Sequence, residues 1–274
     1  MMLRIVIYFV ASTLAHNVSA AGEPAAALDA SNSEITEQCF NAPSRIVSYR
    51  DTRILCILGR ISHIDTDWHI ETIDEVDAIF IDSLGGVVDS AIAIGLKIYD
   101  SGKPLHVGVM CFSSCANYIV PAARKIVLSK RTIIAFHGTA SSASHSEEVI
   151  IPPVQYSDRV SPWERDVLRR LNVIPGAMPY EHYNNLEAAY FDEIKVDYKY
   201  LSEVNILFER AKSNSEEFSS CRVRPGVAFI NTQSRLKQFL VGSVIEGEMA
   251  PNDLFIKAQL PHYDISLDGK PCIG

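Results

Sequence analysis

No long run of lysine and arginine occurs in the chain, and its 25 basic side chains are outnumbered by 33 acidic ones, for a formal charge of −8. That excludes a protein that grips a phosphate backbone through net positive charge, and no nucleic-acid partner is expected. Glycine and proline, 14 and 13 residues, are too sparse for a low-complexity linker protein. No Cys-x-x-Cys or His-Glu-x-x-His spacing is present and the eight histidines are scattered. Neither a metal centre nor a cofactor is therefore expected. Internal repeats are missing, which removes solenoids and propellers. Beyond the N-terminal segment no stretch is long and uncharged enough to span a bilayer.

What is present is an ordinary globular composition, 47% hydrophobic and 21% charged over 274 residues, enough to bury a sizeable core in one large domain or two small ones. The N-terminus has the layout of a secretory signal. Arg4 precedes an apolar stretch from Ile5 to Ala15, and Val18-Ser19-Ala20 stands before Ala21 as a small-residue cleavage site. A membrane anchor is the competing reading, but the apolar run is shorter than the roughly 20 residues that cross a bilayer. Removing residues 1–20 takes away Arg4 alone, so 24 basic against 33 acidic side chains leave −9. The expected location is periplasmic or secreted, with no membrane contact after cleavage. Export permits disulfides, and all six cysteines, Cys39, Cys56, Cys111, Cys115, Cys221 and Cys272, lie beyond the signal.

Residues 21 to about 38 are rich in Ala, Ser, Asn and Glu with little periodicity and read as a mobile leader. Arg53–Ile61 and Val76–Ser83 are apolar, β-branched runs with strand character, the second ending in Gly85-Gly86. Val88, Ala91, Ile92, Gly95, Leu96 and Ile98 then follow helical spacing up to the breaker cluster Asp100–Pro104. Leu105–Met110 predicts a third strand, Ser113–Ala123 a second helix and Thr132–His137 a further strand. Such alternation implies an α/β fold of βαβ units. Residues 138–153 read as an exposed, Ser-rich loop. Helices resume from Ser161-Pro162 to about Leu171 and from Tyr180 to Asp192, and no motif marks the chain from Cys221 onward.

Three pieces carry chemistry in order: Ser83-Leu84-Gly85-Gly86 after a strand, Cys111-Phe112-Ser113-Ser114-Cys115-Ala116 between a strand and a helix, and His137 at a strand end. A serine at a tight strand-to-helix turn projects its hydroxyl above the sheet, and the first amides of the helix are left to hold an oxyanion. Gly85 and Gly86 bring backbone amides close without side chains in the way. A histidine must take the serine's proton, because a free hydroxyl is a poor nucleophile near neutral pH. Taken singly, each piece has a plainer reading. Gly-Gly is a turn, Ser113 or Ser114 a helix cap, and His137 a hydrogen-bonded structural histidine.

In combination these segments, with Ala122-Ala123-Arg124 and Ile134-Ala135-Phe136-His137, resemble the Clp protease/crotonase superfamily. In particular they resemble exported Clp-protease-like proteins with a Cys-x-Ser-x-Cys-Ala nucleophile motif. The match covers roughly Ile54 to His137, with Ser202 as its wider bound, and leaves Cys221 to Gly274 unexplained. It implies stacked ββα units with a C-terminal extension: signal 1–20, flexible leader 21–45, α/β domain 46–205 and extension 206–274. Ser113 takes the nucleophile position, since Ser113-Ser114-Cys115-Ala116 fits Ser-x-Gly-Ala with Cys in place of Gly; Ser114 is the weaker register. The resemblance assigns the oxyanion hole to the Ser114 amide and an amide of Gly85 or Gly86, and the general base to His137. Asp197 stands one position out of register for the third triad member, with Asp192 and Glu193 as alternatives. Leu84 replaces the family's proline.

Cys111 and Cys115 bracket Ser113, so a bond between them would staple the turn; the alternative is two small buried residues. Cys39 with Cys56 and Cys221 with Cys272 are the remaining expected pairs. The leading function is an exported, ATP-independent serine peptidase acting on a peptide or protein, assembled as a homo-oligomer as related folds are. A catalytically inactive peptide-binding or assembly protein is the alternative. A crotonase-type acyl-coenzyme A enzyme ranks third, since export separates it from coenzyme A.

Overall fold

The computed structural model describes residues 25–42, 44–129, 132–136, 161–173, 179–197, 228–230, 236–237, 240, 242–247 and 265–267. In chain order the elements are α1 (Ala25–Asn41), β1 (Ile46–Tyr49), β2 (Thr52–Ile61), α2 (Thr66–Glu75), β3 (Ala78–Gly86), α3 (Val88–Ser101) and β4 (Leu105–Phe112). After a π-helical turn (Cys115–Ile119) and a 3₁₀ turn (Val120–Ala122) come β5 (Lys125–Leu128), β6 (Ile133–Phe136), α4 (Pro162–Arg170), α5 (Pro179–Glu193), β7 (Ala228–Ile230), β8 (Val244–Glu246) and β9 (Ile265–Leu267). The fold is mixed α/β around one mostly parallel sheet, as the alternation predicts.

Nine strands pair among the described residues, in the order β1-β2-β3-β4-β6-β7-β9, with β5 and β8 branching from β4. β2, β3 and β4 run parallel, while β1 joins β2 and β7 joins β6 in antiparallel fashion. The sheet forks at β4. Its first half, Leu105–Val107, pairs with β5, and its second half, Met110–Phe112, pairs with β6. Central parallel strands are covered on both faces, which is why Ala78–Ser83 is buried at every position and its first four residues, Ala78–Ile81, read in sequence as a continuous rather than alternating apolar run.

Strand parity sorts the core. Leu55, Ile57, Ile79 and Ile81 face the main cluster with α2, α3 and α5, whereas Ile54, Cys56, Ala78 and Phe80 face α1. α3 ends where Gly102 takes φ +63 and returns its N–H to the Ile98 carbonyl, the left-handed helix stop that glycine makes cheaply. α4 begins with a reciprocal Ser161–Glu164 capping box and Pro162 in its first turn.

Two segments differ from their sequence reading. Helix α1 occupies the stretch read as a mobile leader; Asn32, Ile35 and Cys39 are buried, and the Cys39–Cys56 disulfide ties the helix to β2. Its order is tertiary, supplied by the sheet face beneath it rather than by periodicity. The helix expected over Ser113–Ala123 is replaced by the π-helical and 3₁₀ turns. Pro121 has no N–H to donate there and its ring opposes a regular α-helical ladder. The loop 138–153 and the Cys221–Cys272 pair lie outside the described residues. No described helix is long and apolar enough to cross a membrane.

Candidate active site

β4 stops at Ser113, whose φ of +56 lies in the left-handed region. A β-carbon crowds the backbone there, costing on the order of 1–3 kcal/mol, so the conformation persists only where neighbours hold it. They do so from three sides. The Ser113 N–H donates to the Ala135 carbonyl on β6 (3.1 Å), and the Ser113 carbonyl accepts from the Asn117 N–H in the π-helical turn (2.8 Å). A Cys111–Cys115 disulfide, with a Cα–Cα distance of 5.4 Å, closes the turn around Ser113.

The glycines at the end of β3 form the second wall. A β-carbon on Gly85 (φ +86) would lie 2.6 Å from the Phe112 carbonyl oxygen and from Ser113 Cβ, and 2.9 Å from the Ser114 nitrogen. One on Gly86 would lie 2.1 Å from the Ile61 carbonyl oxygen. Only glycine lets this backbone lie flush against the elbow. The amides expected to receive an oxyanion have specific partners: Gly86 N–H donates to Ser114 Oγ (2.7 Å) and Gly85 N–H to Ser83 Oγ (3.0 Å), while Ser83 Oγ in turn donates to the Gly59 carbonyl (2.5 Å). Ser114 makes no side-chain cap on the turn it precedes, so the helix-cap reading does not describe its hydroxyl.

β6 is described through Phe136, and Phe112 pairs with Ala135 in the β4–β6 ladder. His137 lies outside the described residues. Asp197 is exposed beyond the end of α5. Of the alternatives, Glu193 accepts from Arg170 (Nη2 2.8 Å) and Asp192 faces Lys195 (3.7 Å), both ion pairs on the surface.

Two features escaped the sequence reading. Asp82, in the Ile81-Asp82-Ser83 segment, turns a buried carboxylate onto the Val109 and Met110 amides (2.7 and 3.2 Å), and burial raises its pKa. The fully buried Glu187 on α5 accepts from the Tyr118 hydroxyl, and the Tyr190 hydroxyl donates to the Tyr118 carbonyl. These contacts join residues about seventy positions apart and leave no local spacing to read. The one available signal for Asp82 is an acid inside an otherwise apolar buried run.

No family model matches the chain, and no curated protein matches it. Solved structures do. A mutant of a membrane-bound stomatin-specific protease is 17% identical over 80% of this chain and 89% of its own, with a TM-score of 0.34. Another mutant of that protease, in complex with a substrate peptide, is 16% identical over 78% and 89%, with a TM-score of 0.34. A ClpP1 mutant from Listeria monocytogenes is 16% identical over 76% of this chain and 96% of its own, with a TM-score of 0.35.

Proposed function

We propose that the chain is an exported serine hydrolase, an ATP-independent peptidase of the Clp-like type, with Ser113 as nucleophile and His137 as general base. The observation that carries the reading is Ser113 itself. A non-glycine residue at φ +56, pinned by β6, a disulfide and two glycines at the end of a central strand, is costly backbone held by its surroundings. Such outliers gather where a side chain must be presented for reaction. Ser113 Oγ attacks the scissile carbonyl and its proton passes to His137. The oxyanion is held at the start of the helical turn, and His137 returns the proton to the leaving amine before water releases the acyl group. The signal-like residues 1–20 and the two disulfides are compatible with export. Substrate is a peptide or protein, and a homo-oligomer is the assembly we expect, to be read by sedimentation.

One observation favours the second reading, a peptide-binding or assembly protein without turnover: Asp197, the candidate third triad member, is exposed. A fluorophosphonate probe separates the two. In labelling, the Ser113 Oγ–P bond forms, the P–F bond breaks, fluoride leaves and the hydroxyl proton goes to His137. Expected are labelling of the mature protein at Ser113, none in Ser113→Ala, and a loss of about 10²–10⁴-fold in His137→Ala. A mature protein that stays unlabelled, or a Ser113→Ala variant that labels like wild type, overturns the hydrolase.

A further inference from the structure

We infer that the Ser114 side-chain hydroxyl, and not a glycine amide, is the second donor to the oxyanion, acting beside the Ser114 backbone N–H; the inference rests on the hydrolase reading above. Both glycine amides at the elbow are already paired, Gly85 N–H to Ser83 Oγ and Gly86 N–H to Ser114 Oγ. The negative charge that develops on the carbonyl oxygen attacked by Ser113 must therefore be met by other donors. Ser114 is only 2% exposed, and its oxygen accepts from Gly86 at 2.7 Å. A hydroxyl that accepts one bond still has a proton to give. Among the described residues no acceptor is paired with that proton, although buried hydroxyls ordinarily use it.

An unspent donor one residue past the nucleophile, fixed by its bond to a rigid glycine backbone, is organised before any charge appears. That is the requirement for electrostatic stabilisation of a transition state. The Gly86 bond also polarises the hydroxyl, since a group that accepts a hydrogen bond donates more strongly. Gly86 thus acts through Ser114 as a positioning residue, and Ser114 Oγ–H touches the reacting oxygen.

Threonine and valine at position 114 have the same shape and differ in the hydroxyl, so the pair isolates the donor from the packing. With the fluorophosphonate probe on the mature protein, Ser114→Thr should label Ser113 within a few-fold of wild type. Ser114→Val should label about 10²-fold more slowly, the loss appearing in the maximal rate and not in the concentration for half-saturation. Ser114→Ala, which removes the hydroxyl without adding bulk, should show the same loss and serves if the branched variants fail to fold, with thermal melting as the control. Equal rates for Thr and Val, or an unchanged or faster rate for Ala, overturn the inference and show a hydroxyl that merely occupies the Gly86 amide. In that case wild type still labels at Ser113 and the hydrolase stands. If wild type and every variant stay unlabelled, the hydrolase reading falls and this inference with it.

Discussion

At the scale of single residues, Asp82 shows how a charge can be built into a strand. The β3–β4 register pairs Ile81 with Val107 and then Ser83 with Cys111, leaving extra β4 residues that bulge around the Asp82 carboxylate. Gly108 makes the room, for a β-carbon there would lie 2.6 Å from Asp82 Oδ2. Two amide donors satisfy the carboxylate, yet burial outweighs them and the pKa is raised. A raised acid favours the protonated fold: its contribution to stability is complete below the unfolded value near 3.8 and is lost as pH rises through the folded value. Asp82→Asn keeps an oxygen for both amides and sheds the charge. Denaturation at pH 8 should find it as stable as wild type or more so. Asp82→Ala orphans two half-buried N–H groups and should cost about 1–2 kcal/mol. An Asn variant as unstable as the Ala variant would show that the charge is needed.

At the scale of elements, the two disulfides among the described residues divide the work. Cys39–Cys56 joins α1 to β2 across a separation of 17 residues, and closing a loop of that length limits the unfolded chain by about 3 kcal/mol. Replacing both cysteines by alanine should lower the melting temperature and leave labelling of Ser113 unchanged. Cys111–Cys115 spans 4 residues, too short a loop to restrict the unfolded chain as much, but it encloses the left-handed Ser113. Removing that pair should slow labelling at least tenfold with a smaller loss of melting temperature; equal effects from the two double variants would sink the distinction. The same contrast explains what could be read from sequence. β2, β3, β4 and α3 announce themselves because burial imposes apolar runs, with glycine marking the ends of β3 and α3, and the Cys-x-Ser-x-Cys turn stands out by its residue types. Helix α1 does not, because what orders it is a partner face and a disulfide. The Ser114–Gly86 contact was equally hidden, since it forms across 28 residues and no spacing rule anticipates it.

At the scale of the whole molecule, two histidines on opposite sides of the sheet set how the fold responds to acid. His69, on α2 and 5% exposed, has neither ring nitrogen hydrogen-bonded, and burial first, then the Arg45 charge, holds its pKa at about 4. His106, on β4 facing Asn32 of α1, is likewise held at about 4, by burial and then by Lys125. Both are neutral in the fold at neutral pH, whereas in the unfolded chain they take up protons near 6.5. Between pH 6.5 and 4 the unfolded state therefore binds more protons than the native one. Stability is full above that window and declines as pH falls through it. For His69 the decline amounts to about 3 kcal/mol at most. His69→Phe keeps a ring of similar bulk and removes both unpaired nitrogens, so it should raise stability at pH 7 and flatten the decline, leaving the part due to His106. Urea denaturation of the two proteins at intervals from pH 7.5 to 4 measures this directly. Parallel curves across the window would mean that His69 acquires a partner on protonation, so that its charge is accommodated in the fold.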